Sequence, residues 1–480
     1  MRKKHRSVFD LSSVATGSRR DFLFSSATGF GGLALSGILA GCRPSTGVAS
    51  TVPKPLPKGS AKSVIFLYME GGPSQMDTFD PKPRLKQDDG KRLPLADVPN
   101  RLLRETLLAS PFKFKQYGES GIAISELFPH LAAHADRLTV IRSMVARNPD
   151  HGSANYFMHT GHSLRGRPSI GSWFSYGLGT EQQNLPSYVV MNDGEQLTGG
   201  EGILSNGFLP PRFGPTLLRT GENPLANLTP RELTPELQQQ KLNAIKQLNE
   251  RSIDRLGPSE TIESLIANYE LAFRMQTSVV ESVDVESETS ATKQLYGLDD
   301  PNTQTFGRAC LRARRLVQRG VRFVQLISPP CENQPRWDQH TDLIIGHRKN
   351  ALRVDKPIAG LLSDLASLGL LDQTLVLWGG EFGRTPTCQN AFLTRKIGRD
   401  HNPTGFTMWM AGGGVKPGHI HGATDEFGFA AIENPVTVHD LHATILHLFG
   451  VDHTELTYRY GGRDYRLTDV HGEVVRDIIS

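Results

Sequence analysis

The sequence contains little cysteine, and none of it is closely paired. Cys42, Cys310, Cys331 and Cys388 are the four cysteines among 480 residues, and no Cys-x-x-Cys motif occurs. This scarcity excludes a disulfide-stabilised scaffold and a zinc ribbon. The hydrophobic content of 38% instead indicates a globular protein with a conventional core.

Beyond its N-terminal region the chain also lacks net charge. The formal net charge is +4, but the first 42 residues contribute six Lys or Arg and two Asp, which leaves 47 basic and 47 acidic residues in the remainder. Proteins that bind nucleic acid usually present an excess of basic side chains. The sequence therefore predicts no nucleic-acid partner.

Only one segment, residues 22–41, approaches the ~20 uncharged residues that cross a bilayer, and it is weakly apolar with five glycines. It follows Arg19 and Arg20, the pattern read by the twin-arginine translocase, which exports folded proteins. An uncleaved membrane anchor is the alternative. The pattern predicts an export signal over residues 1–42 and a mature protein in the periplasm or at the cell surface.

The predicted signal ends in Leu39-Ala40-Gly41-Cys42, which resembles the lipobox of bacterial lipoproteins. Lipidation of Cys42 would then be the protein's only attachment to a membrane, and plain cleavage nearby is the alternative. Residues 43–61 are rich in Pro, Ser and Gly, which predicts a flexible linker. We expect one domain over residues 62–480.

Short apolar runs bounded by turn residues predict the buried strands of a parallel sheet. The runs are residues 63–69, 138–141, 188–191, 321–327, 374–378 and 406–410. Helical patterns lie between several of them, chiefly at residues 303–319, 341–368 and 438–449. The alternation predicts an α/β fold with a doubly wound, mostly parallel sheet flanked by helices. Residues 196–290 interrupt this rhythm and predict a helical insertion or lid.

Acidic and histidine residues accumulate next to the ends of these predicted strands. They are Asp77 after the first strand, Asp338 and His340 after the fourth, Glu381 with Arg384 after the fifth, and Asp400 with His401 before the sixth. Carboxylates and imidazoles that meet at one sheet edge suit Zn²⁺, Mn²⁺ or similar ions. Paired ions of this kind bind an anionic oxygen and activate a nucleophile.

Each of these residues also has a purely structural interpretation. Asp338 could cap the helix that follows it, and Glu381 could pair with Arg384. Asp400 and His401 could lie in a solvated turn. For each single residue both the structural and the functional interpretation remain open, but the grouping of these residues at one sheet edge favours a metal site.

Residues 148–161 follow the second predicted strand and open a short helix that ends at Gly161. Groups in the first turn of a helix gain from its free amides and dipole, which stabilise anions. His151 and Ser153 are therefore candidate catalytic residues, although Ser153 could equally serve as the N-cap.

Several longer motifs carry a family resemblance. Residues 71–83 (GGPSQMDTFDPKP), 337–342 (WDQHTD), 379–386 (GGEFGRTP), 398–418 and 438–452 resemble domain-of-unknown-function family 1501, in the alkaline-phosphatase-like, sulfatase-related superfamily. The resemblance spans nearly the whole predicted domain. It implies a site for two divalent ions (Zn, Mn or Ca).

The resemblance also assigns roles to individual positions. Asp338 and His340 match the superfamily's Asp/His pair, Glu381 stands where a strand-ending Asp is expected, and His401 matches the final His. An acid after the first strand, which could be Glu70, Asp77 or Asp80 and is taken as Asp77, and Asp400 complete the implied ligands. Independently of the resemblance, Arg384 lies three residues beyond Glu381, so we expect it to hold a substrate oxygen as negative charge builds. Ser153, or a metal-bound water oriented by His151, is the expected attacking group.

The chain departs from the superfamily in two respects. Glu381-Phe382-Gly383 replaces the usual Asp-His-Gly, and no Cys-x-Pro-x-Arg motif, the site of formylglycine in sulfatases, occurs. The resemblance implies an exported metal-dependent hydrolase of phosphate or sulfate esters with an anionic ester or polysaccharide substrate. A noncatalytic family member that binds glycans or envelope partners is the alternative.

Overall fold

The structure, a computed structural model, is organised around a central sheet of nine strands. The structure describes residues 60–94, 105–182, 184–192, 196–221, 224, 234–257, 282–330, 336–389 and 396–480. The strands are β1 (Ser63–Tyr68), β2 (Phe114–Tyr117), β3 (Ile122–Ser125), β4 (Leu138–Val145), β5 (Tyr188–Met191), β6 (Thr216–Leu218), β7 (Phe323–Ile327), β8 (Thr374–Gly379), β9 (Gly383–Arg384), β10 (His401–Asn402), β11 (Phe406–Ala411), β12 (His419–His421), β13 (Ala423–Thr424), β14 (Ala431–Glu433), β15 (Val436–Thr437), β16 (Tyr458–Tyr460) and β17 (Arg463–Tyr465).

The helices mostly lie between the strands of the sheet in sequence. They are α1 (Gln75–Thr78), α2 (Pro83–Gln87), α3 (His151–Thr160), α4 (Ile170–Leu178), α5 (Pro235–Leu256), α6 (Ser290–Leu295), α7 (Gln304–Gln318), α8 (Leu343–Ser367) and α9 (Val438–Leu448). Short 3-10 turns occur at Leu131–Arg137, Glu201–Leu204, Pro211–Phe213, Leu371–Gln373 and Arg476–Ile478.

The strands of the central sheet run in the order β12–β4–β11–β8–β1–β7–β5–β6, and β15 also pairs with β4. Each neighbouring pair is parallel except the two pairs made by β11, which are antiparallel. The predicted doubly wound, mostly parallel sheet is therefore confirmed. The remaining strands form four hairpin-like pairs outside it.

Alternate residues of β1 show how the sheet divides the core into two layers. Ile65 and Leu67 belong to one hydrophobic cluster, whereas Val64 and Phe66 belong to the other. A fully buried central strand needs apolar residues on both faces, which explains its continuous hydrophobic run. Helices α7 and α8 contribute to the first cluster, and α3, α4 and α9 contribute to the second.

All six predicted strands are present, and β4, β8 and β11 continue beyond the predicted ends. The helical patterns at 303–319, 341–368 and 438–449 correspond to α7, α8 and α9. Residues 235–256 form the polar helix α5, whereas a second polar helix expected near 259–275 lies mostly outside the described residues. The export signal and nearly all of the linker also lie outside them. None of the described helices combines the length and apolarity needed to span a bilayer.

The direction of β11 corrects the expectation that it runs parallel to the other strands. Phe406, at its start, pairs with Met144 near the end of β4, and Ala411 pairs with Leu138. The residues that precede β11 therefore lie at the carboxyl edge of the parallel strands. A parallel β11 would have placed them at the opposite edge.

Candidate metal centre

Helix α3 presents His151 as its first residue. The N-cap is Asp150, whose side chain accepts a hydrogen bond from the amide of Ser153 at 2.9 Å. The helix ends at Gly161, which adopts the left-handed conformation with φ 66°. Capping at both ends fixes where the helix starts and stops. Ser153 is thus the third residue of the helix and not its N-cap.

Two buried histidines of α9 connect that helix to α3. Nε2 of His439 lies 2.8 Å from the carbonyl oxygen of Gly161, and Nε2 of His442 lies 2.8 Å from that of Met158. These bonds satisfy carbonyls at the end of α3, which have no partner within the helix. The two histidines have a structural role, and they hold in place the helix that carries His151.

Four side chains meet at the carboxyl edge of the sheet. His151, Asp338, His340 and His401 each offer one ligand atom, and these atoms lie within 4.8 Å of one another. We call these four residues the metal centre. From Oδ1 of Asp338, the Nε2 atoms of His340, His401 and His151 are 3.0, 3.1 and 3.3 Å away.

The other ring nitrogen of each histidine is already bound to an acceptor. Nδ1 of His151 lies 2.6 Å from Oε1 of Glu381, and Nδ1 of His401 lies 2.5 Å from the carbonyl oxygen of Pro149. Nδ1 of His340 bonds with the amide oxygen of Gln389. Because these partners accept, Nδ1 carries the hydrogen, and a neutral ring then directs its Nε2 lone pair into the metal centre. This is the arrangement typical of metal-bound histidines.

The contacts among the Nε2 atoms fit a bound cation. Nε2 of His340 lies 2.9 Å from Nε2 of His401, so two lone pairs face each other when both rings are neutral. Nε2 of His151 is buried and makes no hydrogen bond of good geometry. A divalent ion would satisfy all three nitrogens at once, so these residues fit a metal ion.

Glu381 supplies negative charge behind His151. Its carboxylate is fully buried and accepts from the amide of Gly71 at 2.9 and 3.1 Å and from the hydroxyl of Tyr68 at 3.2 Å. Burial alone would lower the pKa of His151, but the neighbouring carboxylates of Asp338 and Glu381 outweigh burial and raise that pKa to about 9. The two carboxylates that hold a proton on this ring also favour a metal cation there.

The surroundings of Asp338 lower the pKa of its carboxyl group. Burial would raise the pKa of its carboxyl group, but the close contacts with the three histidines and the charge of Arg384 keep that pKa far below its usual range. A carboxylate that stays ionised in this way is available as a metal ligand.

Arg384 is fully buried beside Asp338, with Nη2 2.6 Å from Oδ1. The rest of its guanidinium donates to backbone carbonyls, those of Gly71, Gly72, Trp337 and Arg399. The predicted pairing of this arginine with Glu381 is replaced by one with Asp338. Asp338 is also not a helix cap, because the N-cap of α8 is Asp342.

Three predicted ligands lie outside the four residues of the metal centre: Glu381, which binds His151 from behind, Asp77 and Asp400. Asp77 is fully buried and forms an ion pair with Arg399, with Oδ2 2.7 Å from Nε. Asp400 is almost fully buried, with Oδ1 accepting from the amide of His401 at 2.8 Å and lying 3.9 Å from Nδ1 of His340.

Sequence reasoning did not find every residue that contributes to the centre. It treated His151 as a catalytic residue and not as a ligand, and it overlooked Gln389 and the carbonyl of Pro149. Pro149, two residues before the start of α3, offers no sequence pattern for its contact with His401, because a backbone carbonyl can accept from any nearby side chain. Tyr68 could have been found, since it ends β1 directly before the glycine-rich loop.

Comparison with curated proteins by sequence gives no match. Solved structures similar to this chain include Ps i-CgsB, at 12% identity and TM-score 0.37, covering 83% of this chain and 74% of that one. The PsFucS1 sulfatase from Pseudoalteromonas sp. matches at 12% identity and TM-score 0.36, covering 82% and 68%. A mutant of TAB5 alkaline phosphatase with Mg bound matches at 12% identity and TM-score 0.34, covering 82% and 99%.

One family model matches the chain from residue 61 to residue 479. This match includes every strand of the central sheet and every residue of the metal centre. The chain belongs to the family described as protein of unknown function (DUF1501).

Proposed function

We propose that the protein is a metal-dependent hydrolase of phosphate or sulfate esters. The observation that carries this proposal is the convergence of three imidazole Nε2 atoms and one carboxylate oxygen within 4.8 Å. Three nitrogen donors and one oxygen donor suit Zn²⁺, and Mn²⁺ is a further candidate. Ca²⁺ is a poorer choice, because it prefers oxygen ligands throughout.

A bound divalent ion would supply Lewis acidity that polarises a phosphoryl or sulfuryl oxygen. The protein's part is to hold the ligands in one orientation. Glu381 fixes the ring of His151 through Nδ1, and Arg384 fixes the carboxylate of Asp338. Orientation of this kind lowers the reorganisation required when charge develops on the ester.

Ser153 is our candidate nucleophile. It lies in the first turn of α3, two residues after His151, and is only half-buried. Its backbone amide and its hydroxyl both interact with the carboxylate of Asp150, and the bond from the amide is the main cause of the lowered pKa of Asp150. The carboxylate of Asp150 thus stays ionised and orients the hydroxyl of Ser153 as a hydrogen-bond acceptor. A water molecule oriented by the metal centre is the alternative attacking group.

We also propose export through the twin-arginine translocase and lipid attachment at Cys42. The support is the sequence of residues 19–42, in which two arginines precede a weakly apolar segment and a lipobox-like end. Mass spectrometry of the mature N-terminus would identify an acylated Cys42. An unmodified N-terminus at another residue would refute the lipid anchor.

The hydrolase proposal is tested by metal analysis and by assays on aryl phosphate monoesters, phosphate diesters and sulfates. We expect His340→Ala and His401→Ala each to abolish turnover, because each removes a ligand. His447→Ala is the matched control, since His447 lies near the end of α9 and outside the metal centre. Ser153→Ala should abolish turnover only if the serine attacks.

Two outcomes would contradict the proposal. Turnover that survives both ligand variants would locate the activity elsewhere, and purified protein that binds no divalent metal would remove the mechanism. Metal binding without hydrolysis of any ester would instead favour a noncatalytic protein that binds glycans or envelope partners.

A further inference from the structure

Arg384 is a buried cation that touches the metal centre from the protein interior. Its side chain is fully buried. Oxygen atoms surround the guanidinium: Asp338 Oδ1 at 2.6 Å, the carbonyl of Gly72 at 3.0 Å, that of Arg399 at 3.1 Å, that of Trp337 at 3.3 Å, and that of Gly71. Carboxylate and carbonyl oxygens are also the ligands that hard divalent cations prefer. The guanidinium of Arg384 therefore occupies a position surrounded by the kind of oxygen atoms that bind divalent cations.

The loop after β1 has a backbone conformation that lets its carbonyl groups contact this guanidinium. Gly71 has φ +110°, and a Cβ atom on it would lie 2.6 Å from the amide nitrogen of Asp338. Only glycine allows the loop after β1 to approach Asp338 so closely and to turn its carbonyl toward Arg384. The arginine is thus part of the fold's geometry and always carries its charge.

A second carboxylate that was predicted as a ligand is also neutralised by an arginine. Asp77 and Arg399 are both fully buried, with contacts of 2.7 and 3.3 Å between them. Asp77 also accepts from the hydroxyl of Ser74 at 2.6 Å. Glu381 is occupied by the donors described above. Asp77 and Glu381, both among the described residues, therefore offer no free oxygen for a second ion.

We infer that the metal centre holds one ion, and that the guanidinium of Arg384 permanently takes the place of a second cation. This inference rests on the proposed metal site and modifies the two-ion expectation. The residues do not fit a second divalent ion, because its charge would lie beside a guanidinium that cannot lose its proton.

The first test is the metal stoichiometry of the full-length purified protein. Elemental analysis and calorimetric titration with Zn²⁺ and Mn²⁺ should each give one ion per chain. Two ions per chain in the unaltered protein would overturn the inference, whether or not the protein hydrolyses an ester. One ion per chain without hydrolysis would refute the proposed function and leave this inference standing.

The second test changes the buried cation. Arg384→Ala frees the surrounding oxygens, so titration with Mn²⁺ should reveal a second, weaker ion. A folded Arg384→Ala protein that still binds a single ion would refute the claim that the guanidinium fills a cation site. Arg384→Lys keeps the charge and should bind one ion, and two ions bound to this variant would refute the claim even if the alanine variant fails to fold. Arg142→Ala is the matched control, because Arg142 pairs with Asp80 away from the centre and should leave the stoichiometry at one.

Discussion

Two substitutions of Glu381 distinguish its contribution to the stability of the fold from its contribution to the metal affinity of the centre. In Glu381→Gln, the amide oxygen can keep the position of Oε1 and still accept from His151 and Gly71. The amide NH₂ then faces the hydroxyl of Tyr68, which can accept from it because this hydroxyl also bonds with Asn155 Oδ1. Glutamine therefore keeps the bonds that His151 and Gly71 make with Oε1, loses the weaker 3.1 Å bond from Gly71 to Oε2, and removes the negative charge.

The expected magnitudes differ between two substitutions. Loss of an outer partner of a metal-bound histidine typically reduces metal affinity about 10- to 100-fold, which corresponds to roughly 1.4–2.7 kcal/mol. We expect Glu381→Gln to lie near the lower limit, with a change in unfolding free energy below about 1 kcal/mol. Glu381→Ala also leaves the buried amide of Gly71 without its acceptor, at a further cost of about 1–3 kcal/mol in stability.

Competitive titration against a chromogenic zinc chelator measures the affinity, and urea unfolding of metal-free protein measures the stability. Glu70→Gln is the matched control, because Glu70 is a buried glutamate that pairs with Arg336 and makes no contact with the metal centre. Its zinc affinity should equal that of the unaltered protein. Unchanged zinc affinity in both Glu381 variants would refute the role of Glu381 in orienting His151.

Three further predictions concern the whole fold. Chelation should lower the midpoint of thermal unfolding by about 3 °C relative to protein with metal at 100 times its dissociation constant, since about 2.7 kcal/mol of binding stabilisation is lost; an equal midpoint would mean that no metal binds the folded state. Gly71→Ala should destabilise the protein by about 1–3 kcal/mol and weaken metal binding, because of its φ of +110° and its contact with Asp338; urea unfolding and metal titration would measure both. Acid should also destabilise the protein, because burial lowers the pKa of His159 to about 4 and those of His347 and His442 to about 3. The unfolded chain binds protons near pH 6.5 and the folded chain does not, so below that pH stability should fall by about 4 kcal/mol per pH unit for the three histidines together; urea unfolding that is flat between pH 7 and 5 would contradict this.

The local elements could be predicted from the sequence because neighbouring residues determine them. The six apolar runs coincide with strands because a buried parallel strand needs apolar side chains on both faces. The helix that begins at His151 could be located from its end at Gly161, which tolerates a positive φ. The order of Asp338, His340 and His401 along the chain also drew attention to three of the four residues that the structure brings together.

The tertiary structure alone decided how these elements combine. The sequence of β11 has the same apolar character in either direction, and only its pairing with β4 and β8 makes it antiparallel and brings His401 to the metal centre. The partners of Arg384 lie up to 313 residues away along the chain, so no local pattern could show that its guanidinium faces backbone carbonyls. Apolar periodicity fixes which segments are buried, whereas the identity of a buried polar side chain's partner depends on contacts between segments that are distant in sequence.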